Sequence, residues 1–575
     1  MTEHIYPKRI KGKTYYYLQR TYREKREGAG KTKGSGKSRV RTQSIYLGSA
    51  EAIRERLLAA RAPVEVRPRE FGLVAAALDT AAEIGLVELL QREIPGERFG
   101  LPRWLFFLLP ILNRLDHATS KERMGEWAAR TALPELLGFD PGRLNSKTFW
   151  YVTDDVSSER ELQQRRRQAP ELSEDLFVGL DDAVFRRIEA QLFARLSAKM
   201  ELSGQTLLYD TTNFFTYLEE PARSRLARSG HNKDCHHHLK QVGLAMAVEE
   251  EWGLPLFHRV YRGNSQDVRT FAGVIAELLQ AMGQGFAEIK DLVLVLDKGN
   301  NSPQNFAALA GKVQWVGSLC PAHFPDLLAL PLENYTGQTE GARYCALRRT
   351  VMGCDCQLVL TYNPKLARKQ EHSLLNGIEK LKAQIVAKAK AYRRPSASIP
   401  AGIKTLIKRS RYGKYLDLQW NNGKPSFQLT PALEQARLRF GKNLLFTSNQ
   451  NADPRWIIAA YKSKELIEDS FKLLKDPELI RWRPSRHFTD TKLRAFAFCC
   501  VMALVIIRVM LAKTQQAGLH MSAAILKQEL ADLKHFTLIY QDLAASSSFT
   551  KPSTIQQRLA ELFHLESYQQ RLTIH

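Results

Sequence analysis

Three acidic residues stand where their carboxylates could act together. Asp210 closes the apolar run 206–209, so it is expected at the end of a β-strand. Asp297 closes the apolar run 292–296 in the same way, and Glu468 stands on a sequence with helical periodicity. Carboxylates fixed on rigid elements can hold two divalent cations that flank a scissile phosphate, and all-oxygen ligands favour Mg²⁺, with Mn²⁺ as a substitute. Either aspartate alone could equally be a turn or cap residue that ends a strand.

The stretch 456–474 is expected to form one helix with a charged stripe. At offsets of 0, 3, 7 and 14 residues stand Tyr461, Lys464, Glu468 and Lys475. With about 3.6 residues per turn, these offsets return to one helix face. A carboxylate amid cations on that face could reach a metal while the cations hold neighbouring phosphates. An ordinary solvated face with Lys–Glu pairs would carry the same pattern.

This stripe resembles the Y-x2-R-x3-E-x6-K signature of the YREK, or IS-four-like, superfamily of bacterial insertion-sequence DDE transposases. Tyr461, Glu468 and Lys475 match the signature, whereas Lys464 stands in place of the usual arginine. Lysine keeps the positive charge but lacks the bidentate fork that a guanidinium offers to a phosphate.

Further motifs resemble the family in the same order along the chain. Residues 208–212 resemble the first catalytic aspartate motif, and residues 296–299 resemble the second. Segments 230–234, 253–255 and 263–267 resemble the family's motifs around the second and third strands. Arg483, Pro484 and His487 fall where relatives carry an Arg-Pro-x-x-His segment.

The resemblance implies roles for individual residues. Asp210, Asp297 and Glu468 would be the catalytic residues and also the metal ligands, with Mg²⁺ as the cofactor. Contacts with DNA would come from Tyr461, Lys464, Lys475, Lys298, Arg483 and His487.

The resemblance also implies a fold and an activity. The fold would be α/β: a ribonuclease-H-like mixed sheet with a β-rich and helical subdomain inserted before the last catalytic helix. The activity would be cut-and-paste transposition, in which a homodimer binds the terminal inverted repeats of an insertion sequence, cuts double-stranded DNA and joins the excised DNA to a target. A hairpin intermediate is known in this superfamily.

Two other functions fit the same carboxylates and charge. A related nuclease could cut DNA without strand transfer. A sequence-specific DNA-binding protein or repressor could keep the fold and lack catalysis, although the presence of all three carboxylates argues against it.

The charge balance points to a polyanionic partner. The chain has 575 residues, with 84 Lys and Arg against 60 Asp and Glu, which gives a formal net charge of +24. Such an excess favours contact with nucleic-acid phosphates, although a merely basic soluble protein could also carry it. The seven cysteines form no paired C-x-x-C module, the first residues contain no apolar signal region, and the apolar stretches 104–112 and 495–511 are expected to be core helices. We therefore expect a cytoplasmic, nucleoid-associated protein with no membrane partner.

The length of the chain exceeds what one hydrophobic core usually supports, so several modules are expected. In chain order these are a basic N-terminal β-hairpin module (1–65), a helical DNA-binding region (66–200), the first part of the catalytic core (201–332), an insertion subdomain (333–454), the second part of the core with the Glu468 helix (455–512) and a helical C-terminal region (513–575). The helical region could also be a charge-decorated bundle without a DNA role.

Three other motifs have simpler interpretations. The glycine-rich loop 28–38 ends like a phosphate-binding loop but has Lys31 where that motif requires glycine, so a basic loop that contacts DNA is favoured over ATP binding. The cluster of histidines with Cys235 at 231–238 fits no established zinc spacing. Trp420 could stack on an extruded base, but a tryptophan beside a hairpin turn is more often a cross-strand packing residue.

Overall fold

The computed structural model describes residues 2–24, 39–60, 63–156, 183–202, 206–217, 224–230, 238–283, 292–339, 341–392, 398–421, 423–482, 486–487, 489–540 and 545–573. The chain divides into two compact units. The first comprises Met1–Arg69, Lys534–Lys551 and Gln570–His575, and the second comprises Glu70–Leu533 and Pro552–Gln569. Every sequence-predicted site residue belongs to the second unit.

The N-terminal module is a three-stranded antiparallel sheet followed by a helix. Its elements are β1 (Thr2–Ile10), β2 (Lys13–Glu24), β3 (Arg39–Gly48) and α1 (Ala50–Ala60). The predicted hairpin corresponds to β2 and β3, and β1 adds a strand on the other side of β2. β1 contains Pro7, which removes one backbone donor and is tolerated because β1 is an edge strand. The glycine-rich loop 28–38 lies outside the described residues.

The next segment is mainly helical, as its periodicity predicts. Its elements are β4 (Glu65–Glu70), α2 (Gly72–Glu83), α3 (Leu86–Glu93), β5 (Glu97–Arg98), β6 (Leu101–Pro102), α4 (Leu105–Leu115), α5 (Met124–Ala129), α6 (Leu133–Leu137), α7 (Ser146–Val156) and α8 (Ala183–Lys199). α4 is apolar around its whole circumference and almost wholly buried, which is typical of a helix inside a core.

A mixed sheet begins after α8. Its first elements are β7 (Thr206–Thr216), β8 (Lys240–Glu249), β9 (Pro255–Arg262), α9 (Asp267–Met282), β10 (Val293–Leu296), α10 (Pro303–Leu309), β11 (Gln314–Leu319) and α11 (Pro325–Leu328). The predicted strands all form, but β7 does not end at Asp210. It continues to Thr216 because residues 211–216 stay paired with β8, and Phe214 and Phe215 are buried.

The segment 333–454 contributes to the same sheet. Its elements are β12 (Gly337–Thr339), β13 (Ala342–Val351), β14 (Cys354–Tyr362), α12 (Pro364–Lys390), α13 (Ala401–Arg409), β15 (Leu416–Asn421), β16 (Lys424–Leu429), α14 (Ala432–Arg437) and β17 (Lys442–Thr447). The nine-stranded sheet has the order β12-β13-β14-β17-β11-β10-β7-β8-β9. This departs from the predicted insertion at 333–454, because β12, β13, β14 and β17 extend the main sheet and only α12 to α14 with the β15–β16 hairpin stand apart from it. That smaller part, residues 364–437, is called the insertion below and has its own apolar core, which includes Ile378, Leu381 and Ile403.

The predicted single helix 456–474 is interrupted, so the expectation of one continuous helix was wrong. Two helices occupy this stretch, α15 (Pro454–Lys462) and α16 (Glu465–Lys475). Lys464 N donates to the Tyr461 carbonyl, three residues earlier, where an α-helix would use the residue four earlier. Ser463 Oγ also donates to the Ala460 carbonyl at 2.7 Å, which satisfies that carbonyl locally. The tightened turn leaves Lys464 at the N-terminus of α16.

A long apolar helix, α17 (Asp490–Gln516), crosses the core of the second unit. Among the described residues it alone is long and apolar enough to cross a membrane, but 83% of its most apolar window is buried inside the structure. This burial agrees with the predicted core helix at 495–511.

The C-terminal region mixes helices and strands. Its elements are α18 (Ala523–Ala531), β18 (Lys534–Ile539), β19 (Ala545–Phe549), α19 (Thr554–Leu562) and α20 (Leu565–Leu572). The sequence predicts a mainly helical region, and beside its helices β18 and β19 form a sheet with β4 in the order β19-β18-β4. That partner strand lies more than four hundred residues earlier in the chain, so local periodicity does not reveal the pairing.

Candidate active site

Two neighbouring strands hold the two aspartates at one level of the sheet. β7 and β10 are parallel, and Tyr209 stands opposite Leu296 in their register. Each aspartate is the next residue in its strand direction, so Asp210 and Asp297 project from adjacent strands about 4.8 Å apart. Thr211 N donates to Asp210 Oδ1 at 2.8 Å, which holds that carboxylate in place.

A lysine at the start of α16 joins both aspartates to Glu468. Lys464 Nζ lies 3.7 Å from Asp210 Oδ2, 3.1 Å from Asp297 Oδ1 and 3.8 Å from Glu468 Oε1. Lys464 and Glu468 are four residues apart, so both side chains leave one face of the helix. We call Asp210, Asp297 and Glu468 the carboxylate cluster. Residues from two strands and one helix, remote in sequence, thus surround one ammonium group.

The neighbouring carboxylates keep Lys464 charged although its side chain is largely buried. The side chain of Lys464 is 11% exposed, and that of Glu468 is 54% exposed. Burial alone would lower the pKa of Lys464, but Asp210 and Asp297 together raise it above its ordinary value. Lys464 is therefore charged at neutral pH and neutralises part of the carboxylate cluster.

Oxygen ligands that could hold a divalent cation are present, but they do not form a closed metal site. Among the described parts of the chain, no three His, Cys, Asp or Glu side chains stand close enough together to hold a metal ion. The carboxylate cluster nevertheless already surrounds a cationic atom with an all-oxygen set, which is the ligand chemistry of Mg²⁺ and Mn²⁺. The donor set fits such an ion, and Lys464 now takes the central place.

A hydrogen bond from Tyr461 connects α15 to the sheet beside the carboxylate cluster. Its hydroxyl donates to Ser318 Oγ, on β11, at 2.7 Å. Burial, with Asp297 and Asp210 nearby, raises the pKa of Tyr461, so the phenol is neutral at physiological pH. In this arrangement the hydroxyl has a partner in the sheet.

Lys475, at the far end of α16, contacts the same strand that carries Asp210. Its Nζ donates to Thr212 Oγ1 at 2.7 Å and lies 5.5 Å from the centre of the Phe214 ring. Lys475 therefore lies over β7, where its two contacts are the residues two and four positions after Asp210.

A row of aromatic rings continues from Phe214 away from the carboxylate cluster. Phe214 stacks on Trp482 with 4.0 Å between ring centres, and Trp482 meets Phe496 edge-on at 5.6 Å. His487 lies 4.6 Å from the Phe496 ring, and the Arg114 guanidinium lies 5.3 Å from it. The aromatic row thus links Lys475 to His487, two residues that the sequence assigned to DNA contacts.

The aromatic row ends at a group of basic residues that we call the basic cluster: Arg114, Lys121, His487 and Lys492. Lys492 is buried, forms an ion pair with Asp154 and lies 4.0 Å from the Trp150 ring centre. Burial, together with Lys492 and Arg114, lowers the pKa of Lys121 to about 8. Burial and the three neighbouring cations lower the pKa of His487 well below its usual range, so its imidazole is neutral at pH 7.

The remaining predicted residues have different outcomes. Lys298 is exposed directly after Asp297. Arg483 lies outside the described residues, as does segment 231–237 of the histidine cluster. Trp420, on β15, is half-buried against the core of the insertion and stands opposite Pro425 on β16, as expected of a cross-strand packing residue.

Sequence reasoning missed the partners that hold these residues. Ser318 gave no signal, because a lone serine on a buried strand is unremarkable until Tyr461 is seen to contact it. Lys492 stands at the start of an apolar helix, and only its distant partner Asp154 makes its burial possible. Arg114 and Lys121 were visible as basic residues, but their approach to His487 depends on the packing of three separate segments.

Comparison with known proteins finds low similarity in sequence and in structure. No family model and no curated protein matches the sequence. Among solved structures, a piggyBac transposase synaptic complex with hairpin DNA is 9% identical, with a TM-score of 0.39, over 81% of this chain and 82% of that one. A Mos1 transposase paired-end complex with the left transposon end is 11% identical, with a TM-score of 0.15, over 40% of this chain and 64% of that one. Both TM-scores are low, so neither likeness bears on the function of this chain.

Proposed function

We propose that this protein is a DNA transposase that cuts and joins DNA strands with divalent metal ions. The observation that carries the proposal is the convergence of Asp210, Asp297 and Glu468 on one cationic atom. Carboxylates repel one another, so three of them around one point are stable only where positive charge is supplied. A site that acts on phosphodiesters with bound cations requires this arrangement.

The strand order supports a ribonuclease-H-like catalytic domain. Strands β9, β8 and β7 are antiparallel, β10 lies parallel to β7, and β11 lies parallel to β10. Such a sheet offers two adjacent strands for the aspartates and leaves α16 to bring Glu468 over them. The carboxylates are thereby fixed by backbone elements and not by loops.

The carboxylate cluster would hold the metal ions, Mg²⁺ or Mn²⁺. When bound, such ions activate a water or hydroxyl nucleophile and stabilise the charge that develops on the phosphate. Metal–oxygen contacts of about 2.1 Å are shorter than the distances to Lys464 Nζ, so Lys464 would have to leave the centre of the cluster. Its freed ammonium could then contact a phosphate, the role that the sequence resemblance implies for this position.

The other residues of this region would hold the DNA. Lys475 and the basic cluster extend from the carboxylates along the aromatic row, and the whole chain carries a formal +24. Phosphate contacts by Lys and Arg position DNA without reading its sequence. We further propose that the bound DNA comprises the terminal inverted repeats of a bacterial insertion sequence and its target, held by a homodimer because two ends must be paired.

One observation favours a second candidate, a DNA-binding protein without catalysis. Lys464 occupies the centre of the carboxylate cluster, and the described carboxylates do not close on a metal site. A permanent Lys464 counter-ion would make the cluster a structural ion network. A nuclease without strand transfer is distinguished from a transposase by the absence of joined product.

The test is Mg²⁺-dependent nicking and joining of a labelled duplex that carries the element's own terminal repeats. The chain is compared with Glu468→Gln and with Glu465→Gln, a matched control because Glu465 stands in the same helical turn without contacting Lys464. We expect Glu468→Gln to lower nicking by about 1000-fold, since metal-assisted charge stabilisation contributes several kcal/mol, and to leave DNA binding intact. Glu465→Gln is expected to retain activity.

The outcomes separate the three functions. Nicking and joining that are both lost in Glu468→Gln support the transposase. Nicking without joined product in the unmodified chain supports the nuclease. Binding with no metal-dependent nicking in any variant supports the non-catalytic DNA-binding protein.

A further inference from the structure

The short hairpin between α3 and α4 has a bulky residue where its turn favours a small one. β5 and β6 pair Arg98 with Leu101, so Phe99 and Gly100 form a two-residue connection. Both have positive φ, 56° for Phe99 and 70° for Gly100, as a type I′ turn requires. Asparagine and glycine adopt this conformation readily, whereas it is unfavourable for a large side chain. Local backbone preference therefore does not explain Phe99.

The hairpin of β13 and β14 turns in the same way and provides a comparison. Met352 and Gly353 connect its strands with φ of 53° and 81°. A bulky residue before glycine in this turn is thus not by itself the sign of a site. The difference lies in the surroundings, because Phe99 is aromatic and lies beside exposed aromatic residues of α7.

Phe99 belongs to a group of exposed aromatic side chains that we call the aromatic patch: Phe99, Trp150 and Tyr151. Their exposed fractions are 43%, 36% and 51%. The ring centres of Phe99 and Tyr151 lie 6.2 Å apart, and Trp150 precedes Tyr151 on α7. Single exposed apolar residues are ordinary on a protein surface, but a contiguous group of them is typical of an interaction site. The aromatic patch is therefore a candidate surface for a partner.

An arginine is held between two of these rings. The Arg98 guanidinium lies 5.1 Å from the Phe99 ring centre and 5.5 Å from the Tyr151 ring centre. Its Nη1 also donates to the Tyr151 carbonyl at 3.5 Å. Attraction between a cation and aromatic faces keeps this charge in place at the surface. A second arginine, Arg143, donates from Nη1 to the Gly100 carbonyl at 3.0 Å, which holds the tip of the hairpin.

Positive charge surrounds the aromatic patch. Arg98 lies within it, and Lys147 is exposed on the first turn of α7. Of the acidic residues nearby, Asp140 lies 3.6 Å from Arg143 and offsets its charge. Glu97 precedes Arg98 on β5, and successive side chains of a strand point to opposite faces. The side of the hairpin that faces α7 therefore presents aromatic rings together with cations.

The aromatic patch continues into the basic cluster. Lys492 Nζ lies 4.0 Å from the Trp150 ring centre, and Lys492 pairs with Asp154, which also stands on α7. One face of α7 thus contacts the basic cluster, and its neighbouring residues form the aromatic patch. A duplex that contacts the basic cluster would pass beside the β5–β6 hairpin.

A DNA duplex fits this surface better than a second copy of the chain does. The chain carries a formal +24, so two copies of a positive surface repel each other, whereas a polyanion is attracted. The strands of a hairpin lie about 4.8 Å apart, and the major groove of DNA, about 12 Å wide, admits a two-stranded β-ribbon. In that groove the methyl groups of thymine offer an apolar contact to phenylalanine.

We propose that the β5–β6 hairpin and α7 bind duplex DNA. The hairpin enters the major groove with Phe99 against thymine methyl groups, and Arg98 and Lys147 contact backbone phosphates. This inference deepens the proposed function and rests on it for the source of the duplex, which would be DNA beside the cleavage point. The binding itself depends only on the hairpin and α7.

The experiment measures duplex binding without divalent metal, so that cleavage cannot change the probe. Fluorescence anisotropy is recorded with the full chain and a labelled duplex of alternating adenine and thymine, about 20 base pairs or two helical turns long. A second duplex has uracil in place of thymine and lacks only the methyl groups. The test variant is Phe99→Asn. The matched control is Met352→Asn, which makes the exchange at the same position of the same kind of turn.

We expect Phe99→Asn to bind the thymine duplex about tenfold more weakly, as when a central aromatic contact is removed, and Met352→Asn to bind it unchanged. Uracil in place of thymine should weaken binding by the unmodified chain about fourfold, the effect of burying one methyl group, and should not weaken Phe99→Asn further. Phe99→Asn should be no less stable to urea than the unmodified chain, because asparagine accepts positive φ.

A second variant keeps the proposal testable if Phe99→Asn folds poorly. Lys147→Met removes one exposed cation from α7 and leaves the hairpin intact. It should weaken duplex binding and reduce the slope of log K against log salt by about 0.9, the value for one lost phosphate contact. An unchanged slope would remove Lys147, and with it α7, from the DNA surface.

Three results would overturn the proposal. Phe99→Asn that binds the duplex as tightly as Met352→Asn removes the hairpin from DNA binding, and an equal uracil effect in Phe99→Asn and the unmodified chain removes the thymine contact. Self-association that sedimentation detects without DNA, and that Phe99→Asn abolishes, would make the aromatic patch an interface between copies. A chain that fails to nick DNA but loses duplex binding in Phe99→Asn refutes the proposed catalysis and leaves this proposal intact.

Discussion

The carboxylate cluster and the basic cluster are each built around an Asp–Lys ion pair, yet they carry opposite excess charge. Lys464 faces three carboxylates. Lys492 faces one, from Asp154, and in the described surroundings Arg114 and Lys121 add two further cations. Burial disfavours the charged lysine at both sites, but Asp210 and Asp297 raise the pKa of Lys464, whereas burial, together with Lys492 and Arg114, lowers that of Lys121 to about 8.

The difference shows that neighbouring carboxylates can reverse the effect of burial on a lysine, as they do at Lys464, whereas burial prevails at Lys121. Excess negative charge favours a further cation, such as a divalent metal, and excess positive charge favours an anion, such as a DNA phosphate. The two regions are joined by the aromatic row between Phe214 and Phe496. The two clusters of opposite charge are therefore joined through the buried core of the second unit.

The largest effect on stability is expected from the loss of the carboxylate that pairs with Lys492, compared with the loss of one carboxylate beside Lys464. Asp154→Asn leaves Lys492, which is 1% exposed, without its carboxylate and beside like charges. We expect the free energy of unfolding to fall by about 3 kcal/mol, as when one partner of a buried pair is removed. Asp297→Asn is the matched variant, and a change below about 1 kcal/mol is expected because Lys464 keeps two other carboxylates. Urea denaturation measures both, and equal losses would contradict the comparison.

A smaller effect is expected from the titration of Lys121. Its folded pKa of about 8 lies below the ordinary value of 10.5, so between these values the unfolded chain binds more protons than the folded chain. Stability should therefore rise with pH from about 8 to 10.5, by on the order of 1 kcal/mol per pH unit, relative to Lys121→Met. Lys464 has a raised pKa, so its contribution is present below 10.5 and is lost only at higher pH. Parallel stability–pH curves for the native chain and Lys121→Met would refute the assignment.

The smallest effect concerns the ammonium inside the carboxylate cluster. Lys464→Met leaves three partly exposed carboxylates to repel one another, so without metal we expect a loss of about 1 kcal/mol and a Tm lower by a few degrees. Added Mg²⁺ should raise the Tm of this variant more than that of the native chain, because no lysine competes for the same oxygens. The control is Lys472→Met, on the exposed face of α16, where Lys472 pairs with Asp469.

This last comparison tests the proposed metal site without an activity assay. Equal Mg²⁺-induced shifts in Lys464→Met, Lys472→Met and the native chain would mean that the lysine and the metal do not share the carboxylate cluster.

Much of the central region was predictable because its signals are local. The apolar runs before Asp210 and Asp297 predicted strands, and β7 and β10 form there. The charged stripe around Glu468 predicted a helix, and α16 contains that residue. The break at Ser463 was not predicted, because hydrophobic periodicity continues through it and only the local hydrogen bonds reveal the tightened turn.

Strand partners remote in sequence were not predictable in the same way. Residues 342–362 and 442–447 seemed part of an inserted subdomain, but they complete the main sheet through β13, β14 and β17. The strands β18 and β19 lie in a region predicted to be mainly helical, and β18 pairs with β4, more than four hundred residues earlier in the chain. Pairing across such separations depends on tertiary contacts, which no local pattern records.

The sequence by itself determined which residues can do chemistry: acidic residues after apolar runs, a helix with alternating charges, and an excess of cations suited to a polyanion. Only the tertiary structure decided that Asp210, Asp297 and Glu468 meet, and that Lys464 stands between them. It also decided that basic residues from separate segments gather in the basic cluster. The physical reason is that residue type and periodicity are properties of the chain, whereas the electrostatic balance of a site depends on which distant segments pack side by side.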